Sequence, residues 1–225
     1  MIDQPKVNAA IIDYGLGNLY SVKLACEKVG MNATITSEKN IIRTANVVIL
    51  PGVGAFGDAM VELELRGLTN ELHRVVESGK MLVGICLGMQ LLMEESFEFG
   101  HHLGLGIIKG SVVRFDHPRN PEGRILKVPQ VGWNKILKPK KPEKNDPWQA
   151  TPLQEIKEGS YVYFVHSFYC QPTEANVTLA ITRYGHIQFC SSLWSNNTFA
   201  VQFHPERSGP IGLNIYRNIM QQCVR

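Results

Sequence analysis

The stretch Met81-Leu82-Val83-Gly84-Ile85-Cys86-Leu87-Gly88-Met89-Gln90-Leu91-Leu92-Met93 decides how this chain is read. An apolar run enters it, a cysteine sits between glycines at minus two and plus two, and a second apolar run leaves. That reads as strand, sharp turn, helix. It is the spacing of a nucleophile elbow, in which glycines let the backbone cross itself without Cβ clashes and expose the side chain at the apex. A thiol so placed faces the unpaired N–H groups of a helix N-terminus, the setting of nucleophilic cysteines. A structural cysteine in a Gly-rich strand-to-helix turn fits the same letters, so a second element is needed.

That element is Val201-Gln202-Phe203-His204-Pro205-Glu206. His204 follows a strand-like run from Phe199 to Phe203, and Glu206 stands two residues on, with Pro205 stiffening the link. Cysteine attack on an amide needs an imidazole to take the thiol proton and a carboxylate to fix the imidazole tautomer, groups that a fold gathers from distant sequence. Cys86, His204 and Glu206 are the candidate triad. The oxyanion formed on attack needs N–H donors, for which Leu87, Gly52, Val53 and Gly54 are the candidates. The two glycines around Val53 make a peptide flip sterically cheap, and they serve a tight turn equally well.

Short apolar runs alternate with helix-length segments along the first part of the chain: Val7 to Ile12 then Ser21 to Val29, Val47 to Leu50 then Ala59 to Ser78, Met81 to Ile85 then Gln90 to Glu95. Such alternation predicts parallel strands joined by crossover helices. After about residue 103 strand-like pieces dominate, at Ile107 to Phe115, Tyr161 to Tyr169, Thr178 to Arg183, Ile187 to Leu193 and Phe199 to Phe203, until Ile211 to Gln222 closes the chain as a helix. The expected fold class is α/β: an open, mainly parallel sheet with flanking helices plus added antiparallel strands, in one domain over residues 1–225. Its crevice belongs at the carboxyl ends of the strands, where Gly52 to Gly54, Cys86 and His204 can converge.

Composition excludes more than it assigns. A 225-residue chain with 44% hydrophobic and 19% charged residues has an ordinary globular make-up. A net charge of +3 without a basic stripe gives no support for nucleic-acid binding. The densest basic run, Lys138-Pro139-Lys140-Lys141-Pro142-Glu143-Lys144, is broken by prolines and reads as a solvated loop. Met1 to Lys6 lacks a signal core, and no apolar run approaches the roughly 20 residues needed to span a bilayer, so a cytoplasmic protein without a membrane role is expected. Cys26, Cys86, Cys170, Cys190 and Cys223 show neither a disulfide framework nor zinc spacing. No cofactor and no metal is called for.

Gly84-Ile85-Cys86-Leu87-Gly88 with His204-Pro205-Glu206 resembles the class I glutamine amidotransferases, in which a cysteine attacks the side-chain amide of L-glutamine and releases ammonia. Within them, Leu50-Pro51-Gly52-Val53-Gly54-Ala55-Phe56-Gly57, Ile12-Asp13-Tyr14-Gly15-Leu16-Gly17-Asn18, Pro129-Gln130-Val131-Gly132-Trp133-Asn134 and Tyr163-Phe164-Val165-His166-Ser167-Phe168 are similar, in the same order, to the glutaminase subunits of imidazole glycerol phosphate synthases. The resemblance implies that Gln90, Glu98, His166 and Ser167 bind glutamine, with Glu98 pairing its ammonium. From the residues alone Gln90 and Glu98 are surface polar positions. It also implies docking, as a heterodimer, onto a (β/α)₈-barrel cyclase through a face near Asn18, Ser21, Trp133, Asn134, Tyr163 and Arg207. From the residues alone Trp133 reads as core.

Departures from that family's pattern fall at Gln130 and Val131, where Pro-His-Met is common, at Arg207, where Lys is, and in a longer segment from Phe115 to Arg124 that reads as a loop. They leave the triad untouched and bear on the partner. Two alternatives therefore stand beside the histidine-pathway reading. One is a paralogous amidotransferase feeding another acceptor, such as a surface-polysaccharide sugar. The other is an inactive regulatory or binding module.

Overall fold

The computed structural model describes residues 7–140 and 146–224. Met1 to Lys6 and the Lys141-to-Lys144 part of the basic run lie outside them. The first half runs β1 (Asn8–Ile12), α1 (Leu19–Lys28), β2 (Asn32–Thr36), α2 (Lys39–Thr44), β3 (Val47–Gly52), α3 (Phe56–Leu65), α4 (Thr69–Glu77), β4 (Met81–Cys86) and α5 (Leu87–Leu91). The second half adds β5 (Met93–Ser96), β6 (His102–Leu103), β7 (Ile108–Arg114), β8 (Gln130–Lys135), β9 (Tyr161–His166), β10 (Phe168–Pro172), β11 (Thr178–Tyr184), β12 (Ile187–Ser195), β13 (Thr198–Val201) and α6 (Gly209–Gln222).

The main sheet is ordered β2-β1-β3-β4-β13-β12-β10-β7-β5-β6, with β11 paired to β12. It is parallel from β2 through β13, and the later strands add the antiparallel part, apart from the parallel β5–β7 pair. Fully buried strands explain the near-continuous apolar runs, because both faces are covered. Alternate residues feed two layers: Ile11, Ile49 and Val83 pack with α1 and α6, while Ile12, Leu50 and Leu82 pack with α2 to α5. A separate antiparallel ribbon, β8–β9, pairs Trp133 with Tyr163. Among the described residues no helix is long and apolar enough to cross a membrane.

Three expectations about elements are corrected. The segment Ala59 to Ser78 is two helices, because Gly67 turns at φ +61° while Leu68 N–H returns to Leu63 C=O, a glycine C-cap that ends α3. Gln90 to Glu95 is not one helix: β7 draws Met93–Ser96 into the sheet and leaves α5 one turn long. Tyr161 to Tyr169 divides at Ser167 into β9 of the ribbon and β10 of the main sheet. The β2–α2 unit was not anticipated at all. The segment from Phe115 to Arg124 is a loop that returns on itself, bridging Arg119 to Ile125 and resting on His186 through the Arg119 N–H.

Candidate active site

β3, β4 and β13 are neighbours, so their carboxyl ends bring Gly52, Cys86 and the chain leading to His204 to one place. Cys86 is the apex of the strand-to-helix turn, at φ 55° and ψ −108°. A non-glycine residue held there is strained, and such strain collects at functional sites. Both bracketing glycines are required by space. A Cβ on Gly84 would lie 3.0 Å from Gly88 O and from Leu92, and one on Gly88 would collide with Leu50 O of β3.

His204 Nδ1 meets Glu206 Oε1 at 2.8 Å, and both side chains are buried. The backbone holding them is tied twice to β9. His204 N–H donates to Tyr163 C=O at 2.9 Å, and Ser208 Oγ accepts from Tyr163 N–H at 3.0 Å while donating to His204 C=O at 2.7 Å. Burial pulls the imidazole down, but the Cys86 sulfur and the Glu206 carboxylate outweigh it and lift His204 to about 10. Its Nε2 carries no hydrogen bond. Burial pushes the Cys26 and Cys190 thiols up to about 12 and Cys223 to about 11, and raises Cys170 as well.

A cavity of about 310 Å³ opens at Cys86, lined by Val53, Gly54, Leu87, Gln90 and Glu98 on one side and by Pro129 and residues 165–168 on the other. That is the size of a small-ligand site. A larger one, about 900 Å³, lies between β10, β11 and β12 and contains none of the candidate residues. Size loses to chemistry here.

Gln90 proves buried, contrary to its surface reading, and its Nε2 donates to Phe168 C=O at 3.0 Å and to Gln202 Oε1 at 3.1 Å. Glu98 lines the cavity but spends Oε2 on the Phe56 N–H at 2.6 Å, satisfying the start of α3. His166 is held at Nδ1 by Phe168 C=O, 2.8 Å, which fixes the proton there and leaves a bare Nε2. Ser167 joins the same wall. Around Val53 the two glycines differ: Gly54 sits at φ +109° in open space, whereas Gly52 is pinned between the Tyr14 hydroxyl and Leu87. Of the two, Gly54 is the one with open space around it. Tyr14 Oη donates to Pro51 C=O at 2.8 Å.

The outer residues divide into two sets. Trp133, 56% exposed, corrects the core reading: it packs edge-to-face with Tyr163, and the Arg207 guanidinium lies 4.8 Å from the same Tyr163 ring. Asn134 points its amide to Arg183 C=O, away from that cluster, and Asn18 is an exposed residue before α1. Gln202, Tyr14 and Ser208 went unassigned in the sequence. A polar residue at an alternating position of an all-apolar strand was the available sign for Gln202.

Residues 10–223 match the family model for glutamine amidotransferase class-I. The chain belongs to that family. It is 47% identical to imidazole glycerol phosphate synthase subunit HisH of Syntrophotalea carbinolica, over 92% of this chain and 97% of that one, and 42% identical to the same subunit of Aquifex aeolicus, over 97% and 99%. Among solved structures the amidotransferase fold recurs in PurLQS from Thermotoga maritima, with TM-score 0.65, 20% identity and coverage of 97% and 98%. It recurs also in the glutaminase domain of Trypanosoma brucei CTPS with bound acivicin, with TM-score 0.64, 14% identity and coverage of 97% and 94%.

Proposed function

We propose that this chain is the glutaminase subunit of an imidazole glycerol phosphate synthase, working in the cytoplasm. It hydrolyses L-glutamine and hands the ammonia to a (β/α)₈-barrel cyclase subunit that makes imidazole glycerol phosphate and aminoimidazole carboxamide ribotide in histidine biosynthesis. The observation that carries the chemistry is the sealed His204–Glu206 pair, 2.8 Å apart, beside a cysteine at the apex of a strained elbow. An inactive module would have no reason to keep that arrangement.

The thiol proton passes to His204, and Cys86 Sγ attacks the γ-carbonyl carbon of glutamine. The oxyanion is met by backbone N–H groups of Leu87 and of the Val53–Gly54 turn, each donor contributing on the order of a hundredfold. His204 gives its proton to the amide nitrogen as the C–N bond breaks, and ammonia leaves a γ-glutamyl thioester. Water then attacks the thioester, its proton returning through His204 to sulfur as glutamate departs. Glu206 keeps the imidazole aimed and supports its positive charge. Gln90, Glu98, His166 and Ser167 hold the amino-acid end.

Treatment with 6-diazo-5-oxonorleucine, a glutamine-like alkylator, followed by peptide mapping tests the assignment. One modified peptide, bearing Cys86, is expected. Modification of Cys170 or Cys190 in its place overturns it.

A further inference from the structure

Gln202 is fully buried, at 0% exposure, two residues before His204. Its flanking residues Val201 and Phe203 belong to one apolar layer, and its alternate neighbour Ala200 to the other. An amide taken out of water at such a place needs partners at both ends. The orientation of each amide follows from what its neighbour can do. Phe168 C=O only accepts, so the Gln90 atom facing it is the donor Nε2. That same Nε2 reaches Gln202, so the Gln202 atom it meets is the acceptor Oε1. Gln202 therefore turns Nε2 toward Cys86 Sγ, 3.7 Å away. A chain of forced donor directions runs from a backbone carbonyl on β10 to the sulfur.

Building on the reading of Cys86 as nucleophile, we infer that Gln202 is a positioning residue, its N–H holding the Cys86 sulfur in a direction dictated through Gln90 by the Phe168 carbonyl. Apart from the His204 imidazole, which carries the shuttled proton, the sulfur meets Val165 C=O at 3.9 Å, an acceptor. Gln202 thus supplies a donor to sulfur that stays in place when the imidazole proton is passed on, and it aims the sulfur toward the substrate carbonyl. Since Gln90 lines the cavity, the link also joins substrate binding to the aim of the nucleophile.

Gln202→Met and Gln202→Leu keep the bulk and remove both the donor to sulfur and the acceptor for Gln90, the second carrying the test should the first fail to fold. Full-length protein is treated with iodoacetamide at neutral pH and the rate of Cys86 modification followed by peptide mass. Glutamine turnover is measured in complex with the cyclase subunit. Each variant is expected to slow Cys86 alkylation and to lower kcat by roughly tenfold, the effect of one hydrogen bond to a charged group, with KM for glutamine within about twofold. Wild-type alkylation and kcat in Gln202→Met or Gln202→Leu, or a loss confined to KM, overturns the inference. Failure of the wild-type chain to react at Cys86 overturns instead the nucleophile reading on which it rests.

Discussion

His166 and His204 are pushed in opposite directions by the same buried site. Burial drives His166 down to about 4 against its hydrogen bond to Phe168, with the His204 charge adding to the fall, whereas His204 is lifted to about 10. Both start from 6.5 when unfolded. His204 therefore contributes stability that is complete below pH 6.5 and lost as pH rises through about 10, and His166 stays neutral, so stability falls as pH drops from 6.5 toward 4. Urea unfolding of the full chain across pH should show both limbs. His204→Asn should flatten the alkaline limb and His166→Asn the acid one, and limbs unchanged in these variants would contradict the assignments. Since Glu206 supports the imidazolium, Glu206→Gln should lower kcat by roughly a hundredfold with little change in KM. Undiminished kcat would reduce the triad to a dyad. The candidate triad could be named because each member carries a local mark: flanking glycines, a preceding strand, a proline-stiffened turn. Gln202 offered only its polarity within an apolar run and Tyr14 offered nothing, since their partners Cys86 and Pro51 are far away in sequence.

At the scale of elements, the turn bearing His204 and Glu206 is clamped between β9 and the first turn of α6. Ser208 Oγ serves both backbones, and a Cβ on Gly212 of α6 would collide with Pro205 O. Ser208→Ala leaves Tyr163 N–H without its acceptor and should cost about 1–3 kcal/mol of stability. Gly212→Ala should push α6 away from the turn and reduce glutaminase activity from a position outside the cavity. Equal activity and thermal midpoint in Gly212→Ala would show that the turn holds itself. Apolar runs made β1, β3 and β4 readable, because a strand covered on both faces has no other composition available. The end of α5 was unreadable for a physical reason: Leu91-Leu92-Met93 suits helix and buried strand alike, and pairing with β7, far along the chain, decides between them.

At the scale of the whole molecule, the His204 turn and an exposed aromatic cluster meet at one backbone segment. Tyr163 carries the exposed Trp133–Arg207 cluster on its ring while its main chain fixes His204 and Ser208. Trp133→Ala should weaken binding of the cyclase subunit by about 2 kcal/mol, measured by calorimetry, because an aromatic anchor of this kind concentrates interface energy. Unchanged affinity would move the interface elsewhere. The claim that binds the scales together is that this chain makes ammonia at Cys86 and a partner consumes it. The most direct measurement is synthesis of imidazole glycerol phosphate by the complex of the cyclase subunit with wild-type or Cys86→Ala chain, each supplied with glutamine or, at alkaline pH, with ammonium. The wild-type complex should use either nitrogen source, and the Cys86→Ala complex should use ammonium alone at an undiminished rate. Glutamine-dependent synthesis by the Cys86→Ala complex would contradict the account.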